Sequence, residues 1–283
     1  MPTATIKLFL PQGDPKSLRT AEISNWSGKA LAAPRTQFDA LIAREELAQS
    51  GVYILTGTDP ESGKPLAYIG EAEVLRDRLK QHKAKDFWIA ALVFLSKDEN
   101  LTKSHIRHLE GRLIEDARAA GRFALDNGQS SGSRLPEADR HDMEEFLERI
   151  RILLPILGSE LLIPIAGEVS QHAQEQTLAT QIKGFRALGR RTADGFVVFA
   201  GSQAVPRVRD GAARHGSIAV RLRDELLSEG VLIDKGEYWE FARSAEFTSP
   251  SAAASVIHGG NANGLLAWKD SSGKTLKDIE TQS

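Results

Sequence analysis

The chain has 283 residues, with 36 Lys and Arg against 38 Asp and Glu, a formal net charge of −2, 41% hydrophobic residues, three tyrosines and no cysteine. At roughly 150 residues per domain this suggests about two domains, with enough apolar residues for a sizeable core. Zero cysteine excludes disulfides, thiol nucleophiles, iron–sulfur clusters and Cys-ligated zinc, and near-neutrality excludes an indiscriminate polycation.

The opening MPTATIKLFLPQGD holds no apolar run long enough for a signal peptide, and nowhere do 18 uncharged apolar residues follow one another. A soluble cytoplasmic protein with no membrane partner is expected. Residues 1–48 alternate β-prone runs (TIKLFL, RTAEIS, KALAAP) with turn signals such as Pro11-Gln12-Gly13-Asp14-Pro15. This reads as an N-terminal β element with a lead-in helix over Gln37–Gln49, carrying Phe38, Leu41, Ile42 and Leu47 at helical spacing. Residues 49–130 form a denser α/β pattern. Gly51–Thr56 and Leu66–Ile69 are strands of a hairpin, followed by a helix over Glu71–His82, a strand over Phe87–Leu95 and a helix over Leu101–Ala120.

Residues 131–181 contain a helix over Pro136–Leu157, acidic at its start, and a polar linker over Glu168–Gln181 that marks the preferred domain boundary. Residues 182–283 follow as a separate domain. They read as a strand at Gly195–Gly201, a helix at Ser217–Ser228, a strand at Tyr238–Ala242, a small-residue helix at Ser249–Gly259, a last strand at Gly264–Lys269 and a frayed tail. The expected class is α+β: a small module with a short mixed or antiparallel sheet flanked by helices, a short N-terminal β element and a C-terminal α+β domain.

Charge is unevenly spread. Residues 131–180 hold 4 basic and 9 acidic groups, whereas Lys183–Arg223 holds nine basic residues, among them Arg190, Arg191, Arg207 and Arg209, against Asp194 and Asp210. With Phe185, Phe196 and Phe199 interspersed, that window either tracks a phosphate backbone or is a solvated Arg-rich surface.

Three anomalies point to chemistry. Arg78 shares the apolar face of Val74, Leu75 and Leu79 and His82 extends it; inward-facing, both need an anion or acceptor, unless Arg78 snorkels past its neighbours. Glu110 sits amid Ile106, Leu113, Ile114 and Ala117, where a carboxylate needs a cation, either an Arg or a hard metal. His108 lies roughly 200° around the helix from Glu110 and reads as a surface histidine, while His105 reaches a groove lip. Tyr53 and Tyr68, two of the three tyrosines, sit on the paired strands, with Tyr53 and Leu55 on one face and Val52 and Ile54 on the other.

Gly51-Val52-Tyr53, Tyr68-Ile69-Gly70, Arg78-Leu79-x-x-His82, Leu109-Glu110-x-x-Leu113-Ile114 and Asn127 together resemble, in order, the GIY-YIG nuclease module over about Gly51–Gly128. Val replaces Ile in the first motif, and Glu71-Ala72 follows the second where many members place a Thr. The resemblance implies a DNA endonuclease domain at 49–130 using one Mg²⁺ or Mn²⁺ ion. It implies Glu110 as metal ligand, Tyr53 as general base acting directly or through Tyr68, and Arg78 as transition-state stabiliser. His82 then orients a phosphate or relays a proton, and Asn127 holds the tyrosine and glutamate in place. Lys103 and Arg107, beside Glu110, either guide the nucleic-acid backbone or form a solvated face. Residues 183–283 are similar to an uncharacterised domain that often follows such modules, a candidate for nucleic-acid binding. The alternative is a nucleic-acid-binding protein whose nuclease module is silent.

Overall fold

In the computed structural model, which describes residues 3–128, 132–164, 177–193, 195–208 and 218–282, the chain is an α+β protein of two units, Met1–Pro164 and Ile165–Ser283. Among the described residues of the first unit, seven strands share one sheet: β1 (Ile6–Phe9), β2 (Arg19–Ile23), β3 (Gly28–Pro34), β4 (Gly51–Thr58), β5 (Pro65–Ala72), β6 (Trp88–Ser96) and β7 (Ala124–Leu125), in the order β1-β2-β3-β6-β4-β5-β7. All pairs are antiparallel except β5 with β7. Because β6 lies between β3 and β4, the segment drawn at 1–48 continues into the sheet of 49–130 rather than standing apart.

The period-two pattern of β4 sorts its side chains as alternation requires. Val52 and Ile54 pack with Ile106, Leu109 and Leu113 of α3 (Lys103–Ala120) and Phe146, Leu147 and Ile150 of α4 (Glu137–Ile156). Tyr53 and Leu55 face the other way, into a cluster with Phe38 and Leu41 of α1 (Phe38–Ile42), Leu75 and Leu79 of α2 (Leu75–Gln81), and Trp88. The acidic helix α4 therefore belongs to this core. Its carboxylates meet bases of α3: Glu144 takes Arg112 at 2.8 Å and His108 at 3.1 Å, so His108 is tied into the helix pair instead of lying free at the surface.

Two boundaries differ from expectation. The helix read over Gln37–Gln49 is only the single turn of α1, flanked by 3-10 turns at Arg35–Gln37 and Glu45–Ala48. The helix after β5 starts at Leu75 rather than Glu71, because Gly70–Ala72 stay paired with Gly51–Tyr53. Val74, expected on the apolar face, is extended and exposed just before the helix.

In the second unit, β8 (Leu178–Ile182), β9 (Phe185–Arg191), β10 (Phe196–Val198) and β14 (Ala245–Phe247) form an antiparallel sheet, and β11 (Gln203–Ala204), β12 (Leu232–Asp234) and β13 (Trp239–Phe241) form another. Helices α5 (Ile218–Ser228), α6 (Pro250–His258), α7 (Gly264–Ala267) and α8 (Leu276–Gln282) complete the described residues. The expected strand at Gly264–Lys269 is thus a short helix. Asn263 caps it, its Oδ1 accepting from the Leu265 amide, and the expected frayed tail is helical too. Trp268 is pulled out of the solvent by its indole N–H donating to the Pro250 carbonyl at 3.0 Å and by its ring lying 4.3 Å from Phe196. Trp268→Ala leaves an unfilled hole at a fully buried position, so its thermal unfolding should show a loss of about 3–5 kcal/mol.

The Arg-rich window is not uniformly a surface. Phe196 is core, and Arg223 is 1% exposed, its guanidinium donating to the Val205 and Val256 carbonyls at 2.5 Å and stacking 4.1 Å over Trp239. Burial pushes the Arg223 guanidinium down to about 10. Among the described residues no helix is long and apolar enough to cross a membrane.

Candidate active site

The β4–β5 register pairs Tyr53 with Gly70 and Leu55 with Tyr68, which sets the two tyrosines diagonally on one face with ring centroids 6.1 Å apart. Tyr53 is fully buried, whereas Tyr68 is partly open. From α2, Arg78 reaches both phenols: Nε lies 3.2 Å from the Tyr53 oxygen and Nη2 lies 3.5 Å from that of Tyr68. His82 opens a 3-10 turn at the end of α2, is 5% exposed, and puts Nε2 2.7 Å from the Tyr53 oxygen. Trp88 fixes that turn by donating its indole N–H to the His82 carbonyl at 3.0 Å.

Hydrogen-bond chemistry orders this cluster. Arg78 can only donate, so its Nε–H occupies a lone pair of the Tyr53 oxygen, and Nε2 of a neutral His82 shares a hydrogen bond with the same phenol. His82 stays neutral because burial, with the charges of Arg78 and Lys85, lowers it from its ordinary value of 6.5 to about 4. Burial likewise pushes the Tyr53 phenol up, aided by Tyr68. Between about pH 4 and 6.5 the unfolded chain takes up a proton at His82 that the folded chain refuses, so this histidine's contribution to stability is complete above 6.5 and lost as pH falls toward 4. Urea unfolding at pH 7.5 and pH 4.5 should show a drop of up to about 3 kcal/mol from this group, and His82→Asn should flatten that part of the profile.

Asn127 grips the strand that carries Tyr68. Its Oδ1 accepts from the Ile69 amide at 3.0 Å and its Nδ2 donates to the Ile69 carbonyl at 2.6 Å, continuing the pairing of β7 along β5 with a side chain. Glu110 comes from α3, on the opposite face from Tyr53, and half-buries its carboxylate near Glu71 of β5. Burial and the Glu71 charge raise the Glu110 carboxyl, opposed by the Glu71 backbone N–H, Arg78 and Arg107.

Glu71 was expected only as the start of a helix. It instead lies on β5, with Oε1 3.5 Å from Lys103 Nζ and 3.7 Å from Arg107 Nε, and with Oε2 buried and unpartnered among the described residues. Lys103 also meets Glu73 at 3.0 Å, so both bases beside Glu110 are engaged by carboxylates. His105, expected at a groove lip, caps α3 through Thr102. Among the described residues no group of three His, Cys, Asp or Glu could hold a metal ion. Of the C-terminal arginines, Arg190 is partly buried, Arg191 pairs with Glu280 at 3.5 Å, Arg207 is exposed, and Arg209 lies outside the described residues. No curated protein and no solved structure matches the chain. A family model described as a domain of unknown function (DUF4357) matches residues 178–280.

Proposed function

We propose that the chain is a metal-dependent endonuclease resembling the GIY-YIG nucleases, hydrolysing phosphodiester bonds in DNA. The observation that carries it is the joining of Tyr53, Tyr68, Arg78 and His82 into one cluster beside Glu110 and Asn127, from segments spanning 75 residues of sequence. Glu110 fits a hard cation: it is a half-buried carboxylate with the unpartnered Glu71 oxygen beside it, and oxygen donors suit Mg²⁺ or Mn²⁺. Such an ion, held by Glu110, would supply Lewis-acid stabilisation of the phosphate.

The chain's own groups do the rest. A buried phenol raised above its ordinary value stays protonated, and the Arg78 guanidinium is the group beside it that favours the phenolate. The Tyr53 oxygen, once deprotonated beside Arg78, takes the proton of the attacking water directly or through Tyr68, while a neutral His82 holds that oxygen in place. Arg78 remains cationic and faces the charge that develops on phosphorus. Asn127 keeps Tyr68 in register by holding the Ile69 peptide. Cytoplasmic residence and nucleic-acid binding by the C-terminal unit belong to the same proposal.

The test is incubation of supercoiled plasmid, branched DNA and single-stranded DNA with the full chain and Mg²⁺ or Mn²⁺. Nicked or linear product that EDTA abolishes is expected. Intact DNA in every combination overturns the proposal.

A further inference from the structure

Lys85 is a cation of this cluster that no motif marks. It follows the His82–Ala84 turn, whose carbonyl at His82 accepts from the Lys85 amide at 3.1 Å, and the Lys85 carbonyl is fixed by the Arg35 guanidinium at 2.6 Å. The backbone is therefore held while the side chain reaches out. Its Nζ stands 4.5 Å over the Tyr68 ring and 2.6 Å from Oδ2 of Asp126, the residue before Asn127. Tyr68 is thus bracketed, with Arg78 Nη2 3.5 Å from its oxygen and Lys85 above its ring. The Lys85–Asp126 pair is exposed, at 38% and 44% for the two side chains. An exposed pair of this kind contributes little to stability, so an incoming phosphate can displace the carboxylate at small cost.

We infer that Lys85 is a substrate-binding residue that contacts a DNA phosphate flanking the scissile one, with Asp126 occupying its ammonium group until DNA displaces it. This rests on the endonuclease reading and adds to it a second cation beside Tyr68, over its ring where Arg78 meets its oxygen. Asp126 then acts as a competitor for Lys85 as well as its tether, and the two residues should have opposite effects when changed. A merely structural ion pair would give the same effect from either side.

Full-length parent, Lys85→Met, Lys85→Arg and Asp126→Asn are compared in two assays. One is plasmid cleavage with Mg²⁺, read as kcat and KM. The other is binding of a short duplex in EDTA across a salt series. Lys85→Met should raise KM several-fold with kcat nearly unchanged, and should reduce the slope of log K against log salt by about 1, as loss of one phosphate contact does. Lys85→Arg should restore both, and Asp126→Asn should tighten binding. Parental KM and salt slope in Lys85→Met overturn the inference, as does weakened binding by Asp126→Asn to the same extent as by Lys85→Met. A parent that binds but never cleaves defeats the endonuclease reading alone, since the salt slope still reports on Lys85.

Discussion

Arg78→Ala and Glu110→Gln should each remove plasmid cleavage, by about 10²–10³-fold or more, while leaving the fold in place. The two losses have different physical origins. Arg78 is largely exposed and its partners are two phenols and Gln81, so truncating it disturbs the core little; what disappears is the guanidinium that reaches both phenol oxygens. Arg78→Lys should fail nearly as badly, because a single ammonium cannot span the Tyr53 and Tyr68 oxygens as the guanidinium fork does. Glu110→Gln should leave thermal stability equal or slightly raised. It removes a half-buried charge that burial and the Glu71 carboxylate both disfavour, so neutralisation costs the fold little. Plasmid nicking assays paired with thermal unfolding of the same preparations read both quantities. Cleavage surviving in both variants rules out the roles given to these residues. A large drop in the melting temperature of Glu110→Gln would make this carboxylate structural instead.

The placement of side chains on the tyrosine face was legible because strand alternation and helical spacing are short-range rules. Tyr53 and Leu55 fell on one side of β4 and Val52 and Ile54 on the other, and Ile106, Leu113, Ile114 and Ala117 all turned inward around Glu110. What escaped were contacts made by pairing and by loops. Glu71 looked like the first residue of a helix, since nothing local says that β5 runs two residues past Gly70; only its ladder with β4 holds it extended. Lys85 and Asp126 lie about 40 residues apart in loops, and the sole hint was that Asp126 adjoins Asn127. At Gly264–Ala267 the Leu-Leu-Ala run suits helix or strand, and the deciding feature was Asn263, a capping residue placed just before it. The continuity of residues 1–48 with the later strands was likewise hidden, because the partner of β3 is β6, some 60 residues downstream.

Gly70→Ala should cripple the same site from the other strand. Gly70 is paired with Tyr53, and a Cβ placed on it would lie 2.4 Å from the Tyr53 oxygen, 2.5 Å from Cζ and 2.9 Å from Cε1. Those distances are all inside contact range, and the ring cannot swing away cheaply because it is fully buried and bonded to His82 and Arg78. Alanine would otherwise help an extended strand by reducing unfolded-state freedom, so any destabilisation measures the displaced ring; about 1–3 kcal/mol is expected. Cleavage should fall with it, because a shift of a few tenths of an ångström to an ångström lengthens the 2.7 Å path from the phenol to His82. Tyr53→Phe removes that path outright, leaving Arg78 Nε and His82 Nε2 without their shared oxygen, and should abolish cleavage at a stability loss of about 1–3 kcal/mol. If Gly70 acts through Tyr53, the double variant should cleave no worse than Tyr53→Phe alone. A Gly70→Ala protein that cleaves at the parental rate would show that the position of the Tyr53 phenol is irrelevant to the reaction, and with it the role of Tyr53 as base would fall.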